Sequence, residues 1–208
     1  MSTKTLSNPA SKRPNIRMMT VTGMLSALAF ALMYLDFSVP FMPSFIKMDV
    51  SDLPALIASY CFGPVSGVFV CLIKNLLHLL ITRTGGIGEL SNFLLGVMFV
   101  MPAGFIYQKK KTRISAIMGS VTGALISAAG CILTNYFIVY PVYYKIAMPE
   151  EAILGAYQAI LPSVESIMES LIIFNAPFTF LKYMICTAIL FPFYKHISHL
   201  LKGKSAND

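Results

Sequence analysis

The 208-residue chain contains no tryptophan, so any aromatic belt at a membrane–water interface must be built from its 10 tyrosines and 15 phenylalanines. Charge is scarce too. Lys, Arg, Asp and Glu make up 12% of the residues, against roughly 25% in ordinary soluble domains, and this excludes a water-soluble fold for so apolar a chain. Histidine is limited to His78, His196 and His199, which form no site, the last two lying in a basic tail. Cys61, Cys71, Cys131 and Cys186 each sit in or beside an apolar run without metal-ligand spacing, and read as small lipid- or core-facing residues. There is no nucleophile motif. The Gly85-Gly86-Ile87-Gly88 stretch lacks the strand and the lysine of a phosphate loop, so no ATP site is expected in this chain. These absences argue against an enzyme, a bound cofactor and a metal site. The apolar stretch after Arg17 is longer than the ~7–15-residue core of a cleavable signal peptide and lacks a clear cleavage site.

What the chain has is apolar length. It is 56% hydrophobic with a mean hydropathy of +0.71, which predicts a polytopic membrane protein. The net charge of +7 is concentrated at 12–17, at 109–113 and near the C-terminus. Such clusters flank membrane spans, so nucleic acid is not an expected partner and the lipid bilayer is.

The first 17 residues are polar and basic and are expected to form a disordered cytoplasmic tail. One transmembrane domain is expected over 18–202, followed by a polar tail over 203–208. Its first span covers 18–35. The segment 36–52 contains Pro40 and Pro43 and cannot be one helix. With Phe37, Phe41, Met42, Phe45, Ile46 and Met48 it is too apolar for a free loop, and it reads as an ordered lid lying on the protein. The apolar region 53–81 is interrupted by Gly63-Pro64, a turn signal, giving short helices over 53–62 and 65–81. The glycine-rich 82–89 reads as a loop. Further spans follow over 90–107, stopped by the basic run, and over 114–140, ended by Pro141. A long loop then carries Glu150, Glu151, Glu165 and Glu169, and the last span covers 171–193.

The expected fold is therefore all-α, with six transmembrane helices and both termini cytoplasmic. With the N-terminus inside, every large basic cluster falls on the cytoplasmic side, as the positive-inside rule requires. Treating 53–81 as one kinked span would put the 109–113 cluster outside, and is rejected.

Polar residues inside apolar runs carry the functional signal. A lysine at mid-membrane costs roughly 2.5–3.5 kcal/mol and by default faces a functional interior. Lys182 lies about eleven residues from either end of its run, near the midplane at 1.5 Å per residue. Lys74, nearer the end of its helix, is open to a second reading, snorkelling to the interface. Asn175, Thr179 and Lys182 follow an i, i+4, i+7 spacing and share a helix face, with Pro177 between them loosening the helix. Asn92 begins the fourth span. Asn135, late in the fifth, either faces a ligand or hydrogen-bonds a neighbouring helix. An amide beside a cationic donor suits a planar heterocycle with carbonyls and ring nitrogens. Gly23, Ala27 and Ala31 recur at i, i+4, i+8 and permit close helix approach, within the chain or to a partner. Asp49 and Asp52 precede the second span, and there Ser51 or Asp52 is expected to cap a helix with Pro54 in its first turn.

The run Phe45-Ile46-Lys47-Met48-Asp49-Val50-Ser51-Asp52-Leu53-Pro54 resembles the segment before the second helix of riboflavin-binding S-components of energy-coupling factor (ECF) transporters. Phe62-Gly63-Pro64-Val65-Ser66-Gly67, Ile73-Lys74-Asn75, Ser91-Asn92-Phe93-Leu94-Leu95-Gly96, Leu133-Thr134-Asn135-Tyr136-Phe137 and, in part, Ala176-Pro177-Phe178-Thr179-Phe180-Leu181-Lys182 extend the resemblance along nearly the whole chain. It implies a six-helix membrane subunit that binds one vitamin near its outer face, here riboflavin as substrate. It implies a membrane coupling protein and two ATPase subunits as partners, with Gly23, Ala27 and Ala31 on the coupling-protein face. It places Asn135 and Lys182 at family positions that contact the flavin ring, while Thr179 stands where those members have asparagine. The substrate-binding set is then Phe45, Ile46, Lys47, Met48, Asn92, Asn135, Asn175, Thr179 and Lys182. A different small vitamin or heterocycle remains an alternative, as does a membrane scaffold protein. A flavin-dependent electron-transfer subunit is disfavoured, since no facing intramembrane histidines or clustered cysteines are present. The cell membrane is the expected location.

Overall fold

The computed structural model describes residues 16–201 except 83 and 147, and backbone only over 193–201. The expected tails at 1–15 and 203–208, and the side chains of His196 and His199, lie outside the described residues. Ile16 and Arg17, assigned to the tail from sequence, instead open the first helix.

The elements are α1 (Ile16–Tyr34), a lid hairpin of two strands, β1 (Phe37–Ser38) and β2 (Lys47–Met48), then α2 (Asp52–Phe62), α3 (Pro64–His78) with a 3-10 turn Leu79–Ile81, and α4 (Ile87–Lys109). They continue with α5 (Arg113–Thr134), a π turn Asn135–Val139, α6 (Tyr140–Ile146), α7 (Glu150–Gln158), α8 (Ile167–Ser170), a second π turn Leu171–Asn175, and α9 (Ala176–Leu201). Five continuous helices among the described residues are long and apolar enough to cross a membrane. The sixth apolar helix, α2, has 11 residues. At 1.5 Å per residue it reaches about 16 Å, short of the ~30 Å hydrocarbon core. It is the central helix, burying Asp52, Pro54, Ala55, Leu56, Ala58, Ser59 and Tyr60 against α1, α3, α4 and α9.

Local chemistry explains most of the boundaries. Gly63 adopts φ 101°, a conformation glycine alone takes cheaply, and its N–H closes α2 on the Ser59 carbonyl at 3.0 Å. Pro64 then opens α3, where a missing N–H costs nothing. Thr112 caps α5 by accepting from the Ser115 N–H at 3.2 Å. In the lid, Phe37 pairs with Met48 and Ser38 with Lys47 across an antiparallel register.

Two boundaries expected from sequence are corrected. Pro141 does not end its helix, which runs unbroken over Arg113–Ile146. The Tyr140 N–H reaches back to the Asn135 carbonyl, and this widened turn accommodates the proline ring that would otherwise strike the preceding turn. The same device precedes Pro177, where the Ala176 N–H bonds the Leu171 carbonyl. The glutamate-bearing loop contains α7 and gives way to the last helix at Ile167, capped by Ser166 accepting from the Glu169 N–H at 3.2 Å.

The bundle is tight where α4 meets α5. A Cβ added at Gly123 would lie 2.3 Å from the Phe99 carbonyl oxygen, and one at Gly119 2.8 Å from that of Ala103. Gly123→Ala is expected to lower the unfolding midpoint of the detergent-solubilised protein, at a cost of about 1–3 kcal/mol for overpacking. An unchanged midpoint would show that the two backbones are not in contact there.

In α1 Ser26, Ala29 and Met33 are buried, and Leu25 packs partly buried against the core. Gly23, Ala27 and Ala31 are exposed, and a Cβ at Gly23 would meet nothing within 4 Å. Among the described residues, the small-residue stripe is not spent on packing within the chain.

Candidate ligand-binding cavity

A cavity of about 520 Å³ opens beneath the lid, between α4, the α5–α6 seam and α9. That volume suits a small molecule. Phe45, Ile46 and Lys47 line it from the lid, Asn92 from α4, Asn135 from the first π turn, and Asn175, Thr179 and Lys182 from the last helix. Met48 does not line it. It is buried in the lid hairpin opposite Phe37, on a strand whose preceding residue, Lys47, lines the cavity.

The last helix explains the shared face. Its π turn ends at Asn175, so residues 175–182 keep ordinary helical spacing despite Pro177. All three polar residues of the i, i+4, i+7 set therefore look into the same space.

Lys182 sits at the floor in a closed ring of five side chains. Its Nζ donates to Asp49 Oδ2 at 2.9 Å, and Asp52 Oδ2 lies 3.4 Å away. The Ser51 hydroxyl donates to Asp49 Oδ1, while Lys74 Nζ donates to Ser51 Oγ and to Asp52 Oδ1, each at 2.6 Å. Lys74 and Asp52 are fully buried. The capping role expected of Ser51 and Asp52 is thus overturned: Ser51 makes no side-chain cap bond, and Asp52 is already inside α2. Asp52 and Asp49 supply the two carboxylates that two buried lysines need, the Ser51 hydroxyl links Lys74 to Asp49, and a charge left unpaired there would cost several kcal/mol. The same pairing removes the snorkelling reading of Lys74. The carboxylates, rather than a ligand, repay the burial of Lys182.

Asp49, in the lid, feels burial that raises its pKa, but Lys182, Lys74 and the Ser51 hydroxyl outweigh it and hold the carboxyl well below its ordinary value of 3.8. The lid-to-α9 tie is therefore fully present above that value. It weakens only as pH falls below it toward the depressed folded value.

Above the floor the lining divides into polar and aromatic residues. Asn135 accepts from Ser91 Oγ at 3.1 Å and donates to Cys131 Sγ at 3.1 Å, and Thr179 donates to the same sulfur at 3.3 Å. Asn92 Oδ1 accepts from Lys182 at 3.5 Å. Phe45, Tyr140, Tyr143, Phe178 and Tyr183 supply flat apolar surface. A planar heterocycle with a hydrogen-bonding edge fits this division.

Sequence reasoning missed the cavity mouth. Glu89, 4% exposed, accepts from Thr82 at 3.0 Å and Thr84 at 3.2 Å, and His78 Nδ1 lies 2.7 Å from its other oxygen. His78 is thus tied to Glu89 at the cavity lining. The signal was there in the spacing: Glu89, His78 and two threonines bracket one glycine-rich turn.

A lid over a ligand-sized cavity, set in a bundle of apolar spans, defines a helical membrane protein that binds a small molecule. The chain belongs to the family described as ECF transporter, substrate-specific component, whose family model matches residues 17–194. It is similar to the riboflavin transporter RibU of Staphylococcus aureus, 33% identical over 90% of this chain and 93% of that one. It is also similar to the riboflavin transporter FmnP of Bacillus subtilis, 33% identical over 62% of this chain and 69% of that one. A solved S component of a bacterial ECF transporter superposes with a TM-score of 0.70 at 30% identity, covering 90% of this chain and 99% of that chain.

Proposed function

We propose that this substrate-specific component binds riboflavin and hands it to an ECF module for uptake across the cell membrane. The observation that carries the reading is the cavity itself, whose lining combines the polar Asn135, Thr179 and Lys182 with the aromatic rings of Phe45 and Tyr140. The names of the relatives point to the same vitamin. Asn92 and Asn175 complete the polar side, and Phe45, Ile46 and Lys47 cover the ligand from the lid. Six crossings with both termini cytoplasmic agree with the basic clusters, α2 being a short crossing inside the bundle.

Transport needs partners in this reading: a membrane coupling protein, and two ATPase subunits that hydrolyse ATP. The exposed Gly23, Ala27 and Ala31 stripe on α1 supports close docking of a partner helix. The test is growth of a riboflavin-requiring bacterium that lacks its own flavin uptake. Growth on low riboflavin is expected only when the chain and an ECF module are both expressed. Rescue by the module alone would contradict the assignment.

A further inference from the structure

Tyr157 lies outside the cavity, on the short helix α7, yet it is fully buried. Its hydroxyl donates to Asn175 Oδ1 at 2.7 Å and lies 2.6 Å from the Tyr140 hydroxyl. Asn175 Nδ2 in turn donates to Tyr140 at 3.2 Å. Each tyrosine has one proton to give. Tyr157 spends its proton on Asn175, so the short contact between the tyrosines is a donation from Tyr140. The three groups form a closed cycle in which each donates once and accepts once. Turning the Asn175 amide over reverses the cycle without breaking it. In either sense the proton of Tyr140 is consumed inside the ring.

The consequence reaches the cavity, which Tyr140 and Asn175 line and Tyr157 does not. Tyr140 can offer a ligand only a lone pair. Asn175 keeps one N–H and one lone pair. The lid seals the arrangement, since the Phe45 ring meets Tyr157 edge-on at 6.1 Å and Tyr143 at 6.0 Å.

We infer that Tyr157 is a positioning residue for specificity: by closing this ring it makes Tyr140 a pure hydrogen-bond acceptor, selecting a ligand that presents an N–H or O–H there. The inference rests on the riboflavin reading. Riboflavin carries two sources of such a donor, the ring imide N–H and the hydroxyls of its sugar-alcohol chain. With the Asn175 amide oriented as in this structure, its Nδ2 toward Tyr140, removing the Tyr157 hydroxyl takes away the acceptor of the Tyr140 proton and lets that group donate to a ligand.

The test compares the purified parent and Tyr157→Phe for binding of riboflavin, 3-methylriboflavin, which lacks the ring N–H, and lumiflavin, which lacks the hydroxyl chain. In the variant, preference for riboflavin over one analogue is expected to fall by about three- to tenfold, the worth of one neutral hydrogen bond. The analogue that shows the change identifies the donor. Equal weakening of all three ligands, or no change in either preference, overturns the inference. Should Tyr157→Phe fail to fold, Tyr140→Phe decides: the same preference must shift, and unchanged ratios overturn the inference. A parent that binds no flavin at all would instead defeat the proposed function.

Discussion

Replacing Lys182 by methionine is expected to damage both binding and stability, and the two losses are separable. Methionine keeps the apolar stem and removes the charge. Asp49 then loses the cation 2.9 Å away, and Asp52 one 3.4 Å away. Leaving a buried charge unpaired costs about 3–5 kcal/mol, so the unfolding midpoint should drop sharply. Ligand affinity should fall about ten- to hundredfold, from the loss of a charged hydrogen-bond donor worth roughly 1.5–3 kcal/mol. The double variant Lys182→Met/Asp49→Asn removes both members of the pair, while Asp52 keeps Lys74. Its stability should recover toward the parent's and its affinity should not. Thermal unfolding in detergent and flavin titration of the parent and the two variants read the two quantities. If affinity recovers with stability, Lys182 acts through the lid and makes no contact with the ligand.

The second large effect is expected at α1. Bulky side chains at Ala27 or Ala31 would stand on a face that is exposed among the described residues. Ala27→Phe and Ala31→Phe should therefore leave folding and ligand binding of the isolated protein intact. Close approach of a partner helix depends on small residues, so uptake in cells carrying the module should fall to background. Normal uptake by both variants would move the docking face elsewhere. Lost binding in the isolated protein would mean that the stripe supports the fold after all.

The sequence made the helical skeleton legible because bilayer physics is strict. Apolar length, Gly63-Pro64 and the basic run at 109–113 mark most helix ends without reference to other parts of the chain. The expected first span, 18–35, differs from α1 (Ile16–Tyr34) by a residue or two at each end. The polar face of the last helix was legible for the same reason, since spacing alone aligns Asn175, Thr179 and Lys182.

What sequence could not supply were contacts across long separations. The Lys182–Asp49 bond joins residues 133 positions apart, and nothing local to Asp49 distinguishes a charge partner from a helix cap. Tyr157 was hidden likewise, in a nine-residue helix whose buried ring gives no sign of its partner on another element. Pro141 misled for a different reason. Proline ordinarily stops a helix, and the π turn that admits it leaves no composition signature.

Titrating riboflavin into the purified chain tests most directly whether the cavity takes a flavin. Aromatic and polar walls closing over the ring predict saturable quenching of flavin fluorescence at one riboflavin per chain. Unquenched fluorescence at micromolar riboflavin, from protein shown to be folded, would contradict it.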